Sequence, residues 1–181
     1  MKTKHRIIEQ AIQSYNEYGL NNVTSRGLAK RLNMSHGNLE YHFGNKEALL
    51  KAIHMKMKND ISEMYVDKGK EMDPFFHFNE LLKRLEIFHQ TYSFFTLDVL
   101  EISRKYPKVN KRIQKTFQIR EEQVAHFYDR FKKIGYFKQE LSPGMYKRLQ
   151  HTMRILITFW NSQKEVIPYF SSVQSASMSI Y

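Results

Sequence analysis

Apolar residues recur along this chain at spacings of three and four and almost nowhere alternate with polar ones, which predicts helices throughout. Ile8, Ala11, Ile12 and Tyr15 share one face of a first helix from about Lys2 to Tyr18, with Gly19 as its stop. Thr24 or Ser25 caps a second helix through Leu28, Ala29 and Leu32, which Asn33 ends. Ser35 opens a third over His36 to Phe43, and Gly44 closes it. Asn45 caps a fourth that starts at Lys46 and runs to about Lys70. Asp73-Pro74 marks the next start. From there a seam of Leu81, Leu85, Phe88, Tyr92, Phe95, Val99, Ile102 and Tyr106 alternates steps of four and three; it fits one helix, or two with a break in the aromatic run Tyr92–Phe95. Pro107 restarts the chain, and a helix from about Lys108 to Ile134 ends at Gly135. Ser142-Pro143 opens the last helix, to about Lys164, with the stripe Leu149, Met153, Leu156 and Trp160. The Ser-rich segment 171–181 reads as a tail.

Charge adds a partner class to this all-α reading. The net charge is +11 over 181 residues, and residues 1–58 carry 10 basic against 4 acidic side chains. A basic head suits a polyanion, because Lys and Arg displace the counterions condensed on phosphates. Residues 104–120 hold seven basic side chains and no acid, which fits a solvated helix face, an anionic ligand or a second DNA contact. The chain has no cysteine, so disulfides and thiolate chemistry are excluded. The eight histidines show no metal-ligand spacing, and no phosphate loop or nucleophile elbow occurs. The expectation is therefore not an enzyme, with no cofactor and no metal. No apolar stretch approaches the ~20 residues that span a bilayer, and the expected location is the cytoplasm, without a membrane partner.

The segment with the most chemistry is TSRGLAKRLNMSHGNLEYHF, residues 24–43. Two short helices joined by a tight turn, with small Ala29 at their crossing, pack Leu28, Leu32, Met34, Leu39 and Phe43 against Ile8 and Ile12. The second short helix keeps a polar face of His36, Asn38, Tyr41 and His42, and a major groove is wide enough to admit it. Gly19, Thr24, Ala29, Ser35, Gly37, Leu39, Tyr41, His42, Phe43, Lys46, Leu49 and Leu50 stand in register with the tetracycline-repressor (TetR) family of bacterial regulators, which residues 4–53 resemble. The resemblance implies a helix-turn-helix. Thr24 and Ser25 would meet a phosphate at the start of the second helix. Arg26 would reach a base edge or the backbone, and Ser35, His36 and Asn38 would approach base edges. Gly37 would let the helix come close, Tyr41 and His42 would hold groove- and phosphate-facing positions, and Lys46 would bind phosphate. Glu40 departs from the pattern: it stands where the family has a tyrosine that donates to phosphate, and an ionised carboxylate cannot donate. It either turns to a neighbour or accepts from a cytosine amino group.

The resulting expectation is a head at 1–58 (motif 24–43), a helical ligand-binding and dimerisation domain at 59–170, and a tail at 171–181. Regulators of this shape bind double-stranded DNA as homodimers on palindromic operators. The stripes in 109–134 and 149–160 are candidates for the dimer interface, with an intramolecular core as the alternative. Tyr65, Phe88, Tyr92, Phe95, Phe117, His126, His151 and Trp160 are candidates for lining a pocket for an unknown small-molecule effector, again with a packed core as the alternative. The competing function is a helical adaptor that uses its basic face on proteins or membrane surfaces.

Overall fold

The structure, a computed structural model, describes residues 2–64 and 74–167. Among them are nine helices and no strand: α1 (Lys2–Tyr18), α2 (Ser25–Arg31), α3 (His36–His42), α4 (Lys46–Met64), α5 (Pro74–Thr91), α6 (Ser93–Leu97), α7 (Val99–Lys105), α8 (Pro107–Lys133) and α9 (Met145–Val166). They form two compact units, Met1–Thr116 and Phe117–Tyr181. The expected extension of the fourth helix to Lys70 and the tail at 171–181 lie outside the described residues.

The head helices begin and end where the chain's polar punctuation sits. Gly19 (φ 77°) and Asn33 (φ 52°) take the left-handed conformation that ends α1 and the turn after α2. Thr24 Oγ1 accepts from the Gly27 N–H at 3.0 Å, Ser35 Oγ from Asn38 N–H at 3.1 Å, and Asn45 Oδ1 from Ala48 N–H at 2.9 Å. Each cap satisfies a first-turn donor and contributes about 1 kcal/mol. Ile7, Ala11, Ile12 and Tyr15 of α1 are buried with Leu28, Ala29, Leu32, Leu39, Leu49, Leu50 and Ile53, while Ile8 packs at the margin.

This core does not close at α4. Phe88, Tyr92, Phe94, Phe95, Ile102, Val109 and Ile113 belong to the same buried cluster. The apolar seam is carried by three helices: the chain breaks at Tyr92 and again at Asp98. The second break frees Asp98 to reach α1's end, where its Oδ2 accepts from the Leu20 N–H at 2.9 Å. The first is bridged by Asn16, whose Nδ2 donates to Thr91 O (2.8 Å) and whose Oδ1 accepts from Phe94 N–H (3.0 Å) and Ser93 Oγ–H (3.1 Å). Tyr15 and Phe94 rings lie 5.2 Å apart beneath. Asn16→Ala removes three bonds from a half-wet site, so we expect a loss of about 1–2 kcal/mol in denaturant unfolding with an unchanged m-value; a loss below about 0.3 kcal/mol would show that water replaces the bridge.

His54 of α4 is buried, stacks on Phe95 with ring centroids 6.0 Å apart, and lies 3.5 Å through Nε2 from Thr116 Oγ1. The Thr116 hydroxyl donates to Arg112 O at 3.0 Å, so it accepts from Nε2–H, and Nδ1 has no hydrogen-bond partner among the described residues. Burial, and then the Arg112 and Lys58 charges, push the His54 pKa below its ordinary 6.5. The unfolded chain therefore binds more protons below pH 6.5, and the stability that neutral His54 contributes is full above 6.5 and lost as pH falls through the lowered native value. Burial shifts His89 in the same direction. We expect Tm to fall from pH 7 to pH 5 and His54→Phe to flatten part of that slope; parallel slopes for the two proteins would assign it to other groups.

In the second unit the chain turns after α8 at Gly135 (φ 81°). The sequence put the start of the last helix at Ser142-Pro143, but α9 starts at Met145 after Gly144 (φ 74°). A carboxylate from the preceding loop caps it instead: Glu140 accepts from Gly144 N–H at 2.9 Å and Tyr146 N–H at 3.2 Å. Tyr128 and Tyr146 stack with ring centroids 4.9 Å apart, and Phe137 joins them. No described helix is long and apolar enough to cross a membrane.

Candidate nucleic-acid interface

The buried sides of α2 and α3 leave their polar sides outward. Leu39 is the buried residue of α3, and His36, Gly37, Asn38, Glu40, Tyr41 and His42 lie on or near its surface. Tyr41 is 85% exposed, and its ring centre lies 5.3 Å from that of His42. An aromatic of that size left in water has no part in the core. A Cβ at Gly37 would meet nothing within 4 Å among the described residues beyond its chain neighbours and its own helix backbone, so the space in front of the first turn is open. Arg26 is exposed on α2, beside half-exposed Ser25. The cap hydroxyls of Thr24 and Ser35 use their lone pairs on backbone N–H groups and keep their own O–H free to donate outward.

Glu40 turns to a neighbour. Its Oε1 stands 3.6 Å from His36 Nε2, one turn back along α3. The pair draws the carboxylate towards the helix's amino end and places an acid beside an imidazole on the outward face.

Lys46, expected at phosphate, meets the protein's own carbonyls. Its Nζ donates to Val23 O at 2.9 Å and to Leu20 O, and lies 5.4 Å from the Tyr15 ring centre. Burial, and then the Lys105 charge, lower its pKa, with Asp98 acting the other way. Its half-buried ammonium pins the α1–α2 loop and so positions the start of α2. Nothing in the sequence separated an inward from an outward lysine here. Asn16 and Asp98, which tie α1 to α5–α7, were also missed; an acid inside the apolar run Phe94–Leu100 was the available signal.

The candidate pocket residues are dispersed. Phe88, Tyr92 and Phe95 are buried in the first unit's core, and Tyr92 donates to Asp60 Oδ2 at 2.5 Å, with burial pushing its pKa up. Phe117 is 44% exposed, and His126 is exposed. His151 lines a cleft of about 500 Å³ with Glu121, Lys147 and Arg154, the last 2.8 Å from its Nδ1. Tyr65 lies outside the described residues, as does the side chain of Trp160. Of the two apolar stripes, Val109, Ile113 and Phe131 are buried, whereas Leu149, Met153 and Leu156 are 45%, 43% and 60% exposed.

Comparison with known proteins separates fold from family. The profile of bacterial regulatory proteins of the tetR family matches residues 7–53, and the TetR profile of bacterial transcriptional repressors matches residues 56–177. A curated relative, the probable acrEF/envCD operon repressor of Escherichia coli (strain K12), is 27% identical over 84 residues, 45% of this chain; the chain spans only 38% of that relative's length. A TetR-family transcriptional regulator from Marinobacter aquaeolei VT8 superposes with a TM-score of 0.84 at 18% identity, over 92% of this chain and 82% of that one. The TetR-family regulator PfmR from Thermus thermophilus gives 0.65 at 22% identity, over 84% of each. The fatty acid degradation regulator FadR from Bacillus halodurans gives 0.65 at 20%, over 91% and 86%. At these identities the structures speak for the fold alone, but the second profile by itself covers more than half of the sequence. The chain belongs to the tetR family of bacterial regulatory proteins, which are DNA-binding regulators and not enzymes.

Proposed function

We propose that this chain represses transcription by binding a palindromic operator as a homodimer, and that a small-molecule effector releases it. The observation that carries the reading is the outward face of α3: exposed Tyr41, open Gly37 and exposed Asn38 on a short helix held by a cap and a buried leucine. Such a face has hydrogen-bonding groups for base edges, Asn38 towards adenine above all. Thr24 and Ser35 donate hydroxyl hydrogens to phosphate, and Arg26 binds the backbone or a guanine. The Glu40 carboxylate lies towards His36, 3.6 Å away along α3, and is assigned no DNA contact. Lys46 acts indirectly, by fixing the loop from which α2 starts.

The repressor sense follows the name of the Escherichia coli relative. The dimer covers the exposed stripe of α9, a surface that a lone subunit leaves wet. Effector and operator each favour one spacing of the two heads, so each weakens the other's binding by the same factor. The bonds from Asn16 and Asp98 make α1 follow α5–α7, which gives a shift in those helices a path into the head.

Selection from random duplex oligonucleotides at physiological salt tests the reading. The expected result is enrichment of one inverted repeat with half-site centres about 34–36 Å apart. Uniform recovery of all sequences, with binding lost at high salt, would replace it with an adaptor that uses its basic face.

A further inference from the structure

The run of cations at 104–120 finds its place at a corner of the first unit. Arg104 and Lys105 end α7, the chain turns at Tyr106 (φ −126°, ψ 75°), and Lys108 and Lys111 lie in the opening turns of α8. All four side chains are exposed. Arg104, Lys108 and Lys111 form no ion pair among the described residues, and Lys105 pairs with Glu101. Helix stability does not explain Lys108 and Lys111. Cations suit the carboxyl end of α7, but at the amino end of α8, which has no acid in its first turn, they oppose the helix dipole.

The corner is tied to the head. Lys105 Nζ donates to Asn21 Oδ1 at 3.4 Å, and the Lys108 N–H donates to Glu47 Oε1 at 3.2 Å in the first turn of α4. Asn21 is three residues before Thr24, a reach of at most ~10 Å. The cations therefore stand beside the amino ends of α2 and α4, within one compact unit. Glu47 and Glu101 are the acids facing them, and each is already engaged, Glu47 with Lys51 at 3.9 Å and Glu101 with Lys105.

We propose that the α7–α8 corner is a second DNA contact, which grips the phosphate backbone flanking the half-site that α3 reads. The proposal rests on the DNA-binding reading above. Cations strung along an exposed corner match an evenly charged rod better than a compact anion, which needs donors converging from several sides. The contact carries no sequence information and adds affinity to every duplex long enough to reach it.

The test uses the full chain and the triple variant Arg104→Gln/Lys108→Gln/Lys111→Gln, with equal thermal melting as the check on folding. Both are titrated over a salt series with the selected operator in long flanks, with the operator trimmed to its half-sites, and with a random long duplex. On the long duplexes the slope of log K against log salt is expected to fall by about 2–3 per subunit. Operator and random DNA should lose affinity by the same factor, the preferred sequence should stay the same, and trimming the flanks should erase the difference. Equal slopes and affinities for the two proteins on the long operator overturn the proposal, as does, in a parallel titration with anionic lipid vesicles, a loss confined to the vesicles. Failure of the underlying reading shows separately, as absence of any preferred sequence for the unaltered chain.

Discussion

Tyr41→Ala is expected to leave the fold intact and weaken operator binding about a hundredfold. The side chain is 85% exposed and among the described residues its ring neighbour is His42, so no core packing is lost. Surface changes of this kind stay within about 0.5 kcal/mol of stability, and alanine is the better helix former at the site. In the proposed complex the loss comes from the phenol, which would donate to a phosphate where Glu40 cannot. One hydrogen bond to a charged group contributes about 1.5 kcal/mol or more, and two half-sites double it to about 3 kcal/mol, roughly a hundredfold in affinity. Tyr41→Phe separates the hydroxyl from the ring and should reproduce most of the loss. Equal affinity of all three proteins, read by fluorescence anisotropy on the selected operator, would remove Tyr41 from the interface.

Leu156→Glu is the second large effect. Leu156 is 60% exposed near the middle of α9, between Met153 and the 55%-exposed Phe159. In a two-fold interface each residue of the patch meets its own copy or a near neighbour, so the substitution buries two like charges. The dimer is expected to dissociate at micromolar concentration while each subunit keeps its melting behaviour, because the position contributes little to the subunit's own core. Operator affinity should then fall by about 10²–10⁴, the factor that links two half-site bindings. Sedimentation equilibrium reads the first effect directly. A variant that stays dimeric would move the interface off α9.

The two substitutions differ in how openly the sequence announced their sites. The head was legible almost residue by residue, because its helices are short and bounded by caps: Thr24, Ser35, Asn45, Gly19 and Asn33 all act locally, within four residues of themselves. Local rules fail where the partner is far along the chain. Asp98 serves Leu20, Asn16 serves Thr91 and Phe94, and Glu140 reaches over the loop to start α9. The inward turn of Lys46 belongs to the same class, since its carbonyl partners are more than twenty residues upstream. The seam from Leu81 to Tyr106 was visible as a period, but a period survives a break: it left one helix and two equally open, with the aromatic run from Tyr92 as the place for a break, and it did not call for the second break at Asp98. The stripe on α9 looked the same in the sequence whether it faced a core or a second copy.

The polar ties around α1 also bear on exchange of parts between relatives. A fragment cut after α4 would leave the Leu20 N–H without Asp98, Asn16 without α5 and α6, and the Tyr15 ring without Phe94. A chimera that grafts this head onto a foreign body therefore inherits an unfinished surface, unless the new body carries an acid and an aromatic at matching places. The natural seam for recombination lies beyond α7, and a reader helix moved without its supporting corner would bring its specificity but not its footing.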